Sequence, residues 1–182
     1  MLDASRPYTM RIQGPNCVGL MLPHIGLNVR FSPRPLPGDI AFLSQSGALI
    51  RGVIDWARGH HIGFSHMISL GDMADVDFGD LLDNFAADAH CRSILFYMES
   101  VTHAPKFMSA ARRAARSKPV IVVKAGRSAT GAKAALSHTG ALAGIDAAYD
   151  AAFQRAGLLR VRDLDDLLSA AEMLARHPKA RG

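Results

Sequence analysis

Asp39-Ile40-Ala41-Phe42-Leu43 runs straight into Ser44-Gln45-Ser46-Gly47, and Gly47 opens the amphipathic stretch that ends near Arg58. Five residues that are apolar after the first predict a strand buried on both faces. Leu49, Ile50, Val53, Ile54 and Trp56 then recur at helical spacing on or near one side. The small, glycine-containing turn between them joins strand to helix with little room to spare. This strand–turn–helix unit sets the reading of everything that follows.

Working downstream, the same alternation repeats. Phe64 to Leu70 reads as a strand, Phe78 to Ala89 as a helix, Ser93 to Met98 as a strand and Pro105 to Arg116 as a helix. Pro119 to Lys124 is a strand built on Val120-Ile121-Val122-Val123. Ala147 to Ala156 is helical, Leu158 to Val161 a short strand and Asp163 to Arg176 a closing helix. Apolar strands separated by helices predict a parallel sheet covered on both faces. With right-handed crossovers, that is an α/β, doubly wound, flavodoxin-like domain of about five strands over residues 39–177. Ligands in such folds sit beyond the carboxyl ends of the strands, and the unusual motifs of this chain fall there.

Working upstream, residues 1–38 break the pattern. Gly14-Pro15-Asn16-Cys17-Val18-Gly19 is followed by a stretch punctuated by Pro23, Pro33, Pro35 and Pro37. We expect the end piece of a preceding domain joined to an extended linker. Residues 178–182 are expected to lead into a further domain.

Composition narrows the class. The chain has 182 residues, 49% hydrophobic and 20% charged, enough for one domain with its own core. The net charge is +5 and the pI about 9.6, yet the densest basic group, Arg112, Arg113, Arg116 and Lys118, lies at a helix end where cations suit the dipole. It lacks interleaved aromatics, so no nucleic-acid partner is expected. Cys17 and Cys91 form no disulfide framework. Without an apolar run of about 18 residues or a secretory pattern, neither a membrane nor export is expected, and the setting reads as cytoplasmic.

Three features carry chemistry. In Ser44-Gln45-Ser46-Gly47 a helix start exposes free backbone N–H groups and a positive dipole end, while the serines add hydroxyl donors. From spacing alone the segment serves equally as a phosphate site or as a plain helix cap. His138, in Leu136-Ser137-His138-Thr139-Gly140, has small neighbours that leave room for a phosphoryl group, and its imidazole is a competent nucleophile near neutral pH. An alanine-rich segment can equally hold a histidine without function. Glu99 ends the strand Ser93 to Met98, where a carboxylate can hold one imidazole nitrogen and free the other, or simply face solvent. No metal site is expected. His60 and His61 are adjacent and do not converge, and Asp72, Asp75, Asp77 and Asp80 lack the spacing of a calcium loop.

Gly14-Pro15-Asn16-Cys17, Ser44-Gln45-Ser46-Gly47-Ala48, Gly71-Asp72-Met73-Ala74-Asp75-Val76-Asp77, Tyr97-Met98-Glu99-Ser100 and Ser137-His138-Thr139-Gly140 occur in that order. Together they resemble the NDP-forming acyl-CoA synthetases, the group of ADP-forming acetyl-CoA synthetase and succinyl-CoA synthetase α subunits. The resemblance implies a ligase reaction in which acyl-CoA, NDP and phosphate interconvert with acid, CoA and NTP. It implies that an acyl phosphate passes its phosphoryl group to His138, steadied by Glu99, with phosphate held at Ser44, Gln45, Ser46 and Gly47. Gly14, Pro15, Asn16 and Cys17 would lie near the coenzyme A thioester. The implied partners are a CoA-binding Rossmann domain and an ATP-grasp domain that binds ATP or ADP with Mg, in an oligomeric full-length protein. The sequence is similar, too, to the synthetase-like part of GNAT-fused lysine acetyltransferases. There the corresponding role would be regulatory sensing of acyl-CoA.

Overall fold

The computed structural model describes residues 1–29, 32–126 and 146–177. After a short helix α1 (Leu2–Ser5) come strands β1 (Leu20–Leu22), β2 (Leu27–Val29) and β3 (Leu36–Ser44). Helix α2 (Gly47–Gly59), β4 (Gly63–Ser69), α3 (Phe78–Ala87), β5 (Ser93–Met98), α4 (Ala104–Ser117) and β6 (Val120–Lys124) follow. The chain continues as α5 (Asp146–Ala156), β7 (Leu159–Val161) and α6 (Leu164–Arg176).

The strands form one seven-stranded sheet in the order β2-β1-β4-β3-β5-β6-β7. Strands β3 to β7 are parallel to one another and correspond to the five strands read from sequence. Their order, with β3 second and its neighbours β4 and β5 on opposite sides, is the flavodoxin-like doubly wound arrangement. The turn from β3 leads to one face of the sheet and the turn from β4 to the other, so a crevice opens between β3 and β5.

Two strands exceed the expected five. Residues 20–29 are not an extended tether. Leu20–Leu22 pairs antiparallel with Leu27–Val29 and, on its other side, with β4 through Leu20↔Ile68 and Met21↔Met67. Each of these strands has three residues, and only Met21 among the six is buried. Elements that short carry almost no periodic signal, which is why the sequence read as linker.

Alternation along the strands feeds two cores. Ile40, Phe42, Phe64, Met67, Leu95, Ile121 and Val123 face α2 and α6, meeting Ile50, Val53, Ile54, Ala57, Leu167 and Ala171. Ala41, Leu43, Ile94, Phe96, Val120 and Val122 face α3, α4 and α5, meeting Phe78, Leu82, Phe85, Phe107 and Phe153. Burying each large apolar side chain is worth roughly 1.5–3 kcal/mol relative to exposure. Both faces therefore hold the central strands firmly, and the loops at their carboxyl ends inherit a rigid base.

Candidate functional site

The strand β3 ends at Ser44, which is fully buried. Its hydroxyl donates to the Ser46 carbonyl at 2.8 Å, so it braces the turn from below. Ser46 is the N-cap of α2, yet its side chain makes no capping hydrogen bond, and the first turn contains no acidic residue. Neither serine therefore acts as the plain cap that spacing alone allowed. The helix start keeps its partial positive charge and opens on a cleft of about 390 Å³.

Asn16, Cys17, Val18, Gln45, Ser46, Gly47, Glu99 and Ser100 are among the residues that line this cleft. The structure thus brings Ser46, Gly47, Glu99, Asn16 and Cys17 together from three separate parts of the chain. It places Gln45 at the rim with its side chain turned across to the next strand, where its Oε1 accepts from Glu99 N–H (2.6 Å) and Ser100 N–H (2.9 Å). His138 lies outside the described residues.

The segment 12–18, of which residues 16–18 line the cleft while Gly14 and Pro15 stand behind them, is stapled to the loop after β4. Asp72 N–H donates to the Pro15 carbonyl at 3.0 Å, Ala74 N–H to that of Gly14 at 2.9 Å and Val76 N–H to that of Ile12 at 3.1 Å. Val18 N–H donates to Ser69 Oγ at 3.1 Å, and the Asn16 side-chain amide donates to Asp72 at 3.3 Å. Two glycines allow this approach. Gly71 has φ +58°, and a Cβ there would meet Pro15 O at 2.1 Å; a Cβ on Gly47 would meet Val18 Cγ1 at 2.7 Å. Val18, Gly71, Asp72 and Ser100 line the cleft as well, and the reading from sequence gave them no individual role. The signal available was positional, since Gly71-Asp72 directly follows an apolar strand, as Glu99-Ser100 does.

The charge at Glu99 reaches beyond the cleft. Burial first, and then the Glu99 carboxylate, push the Tyr97 phenol above its ordinary pKa. Lys124, buried at the end of β6, donates to the Ala125 carbonyl at 2.6 Å and lies 4.6 Å from the Tyr149 ring centre. Burial pushes its ammonium below the usual lysine range, against an opposing pull from Asp146 and a further one from Glu99.

The other candidates of the sequence serve the scaffold. Asp77 and Asp80 form a capping box at α3, and Asp75 accepts from Arg11 at 3.0 Å and from Ile12 N–H at 2.7 Å. His60 stacks on Trp56. Among the described residues no group of three His, Cys, Asp or Glu side chains is arranged to hold a metal ion. None of their helices is long and apolar enough to cross a membrane.

An uncapped helix start and Glu99 line one cleft at the topological switch point of a doubly wound α/β domain, the place where such folds bind their ligands. Residues 37–174 match the family described as succinyl-CoA ligase like flavodoxin domain, and the chain belongs to that family. It is 44% identical over 183 residues to the α subunit of acetate–CoA ligase (ADP-forming) I of Pyrococcus furiosus, spanning all of this chain and 40% of that protein. It is also 44% identical to acetate–CoA ligase (ADP-forming) I of Archaeoglobus fulgidus, over 99% of this chain and 26% of that protein. Among solved structures, the dinucleotide-forming acetyl-coenzyme A synthetase 1 of Ca. Korarchaeum cryptofilum, in complex with phosphate and ADP, superposes with a TM-score of 0.91 at 38% identity. That match covers 99% of this chain and 39% of the other. The chain thus spans two fifths or less of the length of these relatives.

Proposed function

We propose that this chain is the phosphoryl-relay domain of an ADP-forming acyl-CoA synthetase, with His138 as the phosphoryl acceptor. The observation that supports it most is the cleft that joins the uncapped start of α2 to Glu99 at the switch point of the sheet. A relative that shares the fold closely is solved with phosphate and ADP, the two small anions the reaction needs.

In this reading phosphate attacks the thioester carbonyl of an acyl-CoA, the C–S bond breaks, and CoA leaves as its thiol. The resulting acyl phosphate lies at the Ser46–Gly47 end of α2, where backbone N–H groups and the helix dipole offset its charge. One imidazole nitrogen of His138 attacks phosphorus, the P–O bond to the acyl group breaks, and the carboxylate departs. Glu99 accepts a hydrogen bond from the other ring N–H, which fixes the tautomer and stabilises the positive charge that the ring gains. The phosphoryl group then moves to ADP on an ATP-grasp domain, which supplies the nucleotide and its Mg. Asn16 and Cys17, on the segment that begins at Gly14, line the side of the cleft beside which the thioester of CoA, bound by a Rossmann domain, would react.

The test is to incubate the full-length protein with γ-labelled ATP and look for acid-labile, base-stable label. His138→Asn is expected to abolish it while leaving folding nearly intact. Labelling of that variant equal to wild type would overturn the reading.

A further inference from the structure

Gln45 links the ends of the two central strands. Its backbone extends the ladder of β3, its N–H donating to the Tyr97 carbonyl at 3.2 Å. Its side chain then crosses to the neighbouring strand end. There Oε1 receives the consecutive N–H groups of Glu99 (2.6 Å) and Ser100 (2.9 Å), and Nε2 donates to Ser100 Oγ at 3.4 Å.

Two successive amides converging on one oxygen constrain the peptide planes on both sides of the Glu99 Cα. That fixes the direction in which its Cα–Cβ bond leaves the backbone. Both lone pairs of Oε1 are engaged by backbone amides of the neighbouring strand end, so the direction of the side chain is set by that strand end.

We propose that Gln45 is a positioning residue for Glu99 and not a ligand of phosphate. This deepens the phosphoryl-relay reading and rests on Glu99 being the carboxylate that holds the reacting imidazole. Transfer between oxygen and nitrogen demands tight placement of the reacting groups, and a displacement of about 1 Å can slow a step up to a hundredfold. Gln45 ties that placement to the most rigid part of the sheet.

The experiment uses the full-length protein assayed with acetyl-CoA, phosphate and ADP, comparing wild type, Gln45→Leu, Glu99→Gln and the double variant. Gln45→Leu keeps the size of the side chain and removes its polar atoms. It is expected to lower kcat by about tenfold with the KM for phosphate unchanged. In the Glu99→Gln background it is expected to add less than about twofold, because residues acting through one another are not additive. Amide hydrogen exchange should rise at residues 99–100 and stay unchanged over residues 93–98, which also shows that the variant is folded.

A raised KM for phosphate at unchanged kcat, or the same fold-loss in both backgrounds, would overturn the assignment. His138→Asn, labelled in parallel as above, separates the two claims. If it labels like wild type, the relay reading falls with whatever rested on it. If it is silent while Gln45→Leu matches wild type, only the role of Gln45 is wrong.

Discussion

Helices α2 and α3 both begin beyond the carboxyl ends of parallel strands, yet their first turns are completed in opposite ways. At α3 the Asp77 carboxylate accepts from Asp80 N–H at 3.0 Å, and the Asp80 carboxylate accepts from Asp77 N–H at 3.1 Å. Lys106 reaches Asp77 at 3.0 Å and Asp80 at 2.6 Å, and Arg11 reaches Asp80 at 3.2 Å. Two N–H groups at that start are taken by the protein's own carboxylates, which are matched in turn by its own cations. At α2 no carboxylate stands in the first turn and Ser46 makes no side-chain cap. A helix start left without a side-chain cap is open to a ligand where its surroundings form a cleft. Glu99 and residues 16–18 line one here, which is why the proposed phosphate site is placed at α2.

The largest effect on stability belongs to the filled end. Asp77→Ala removes a cap and leaves Lys106 with one carboxylate, and should cost about 1–2 kcal/mol in a denaturant melt. Phosphate binding should be unchanged, since no residue of α3 lines the cleft of the proposed site. A loss of phosphate affinity as large as the loss of stability would break the contrast between the two helices.

A smaller effect comes with acid. Burial acts to raise the Asp80 pKa, but hydrogen bonds from Lys106, Asp77 N–H and Arg11 outweigh it and hold the carboxyl below its usual range. The hydrogen bond from Arg11, with that from Ile12 N–H, holds Asp75 down too. A carboxylate depressed in the folded state contributes stability that is present above the unfolded pKa, near 3.9, and is lost as pH falls through the folded value. Protection factors for amide exchange at residues 77–82 should therefore fall as pH drops below about 4, ahead of those at residues 47–52, where no first-turn carboxylate titrates. Simultaneous loss of protection at both helices would show that the contrast has no energetic weight.

Much of this was legible in the sequence. Strand β5 has the same limits in both readings, Ser93 to Met98, because an unbroken apolar run admits little else in a parallel sheet. Asp72, Asp75, Asp77 and Asp80 were legible as something other than a calcium loop from their spacing, and the structure adds that Asp77 and Asp80 form the capping box of α3. The β1–β2 hairpin was not legible, since strands of three residues are too short for a period to be read. Nor were the directions taken by Ser44 and Gln45. The polar partners of Gln45 lie 52 to 55 residues away in sequence, at Tyr97, Glu99 and Ser100, and only the pairing of β3 with β5 brings them close. Residue type and position at a strand end located the site, whereas tertiary contact decided which side chains face it.

The most direct measurement gives α2 the ending that α3 has. Ser46→Asp would place a carboxylate at the N-cap, where it accepts from the first-turn N–H groups and offsets the dipole. Titration of the full-length protein with inorganic phosphate should show binding in wild type and at least about a tenfold weaker response in Ser46→Asp, corresponding to about 1.4 kcal/mol or more. The variant should be no less stable than wild type in a thermal melt. Equal phosphate binding by the two proteins would contradict the claim that the open start of α2 is where this domain holds its anion.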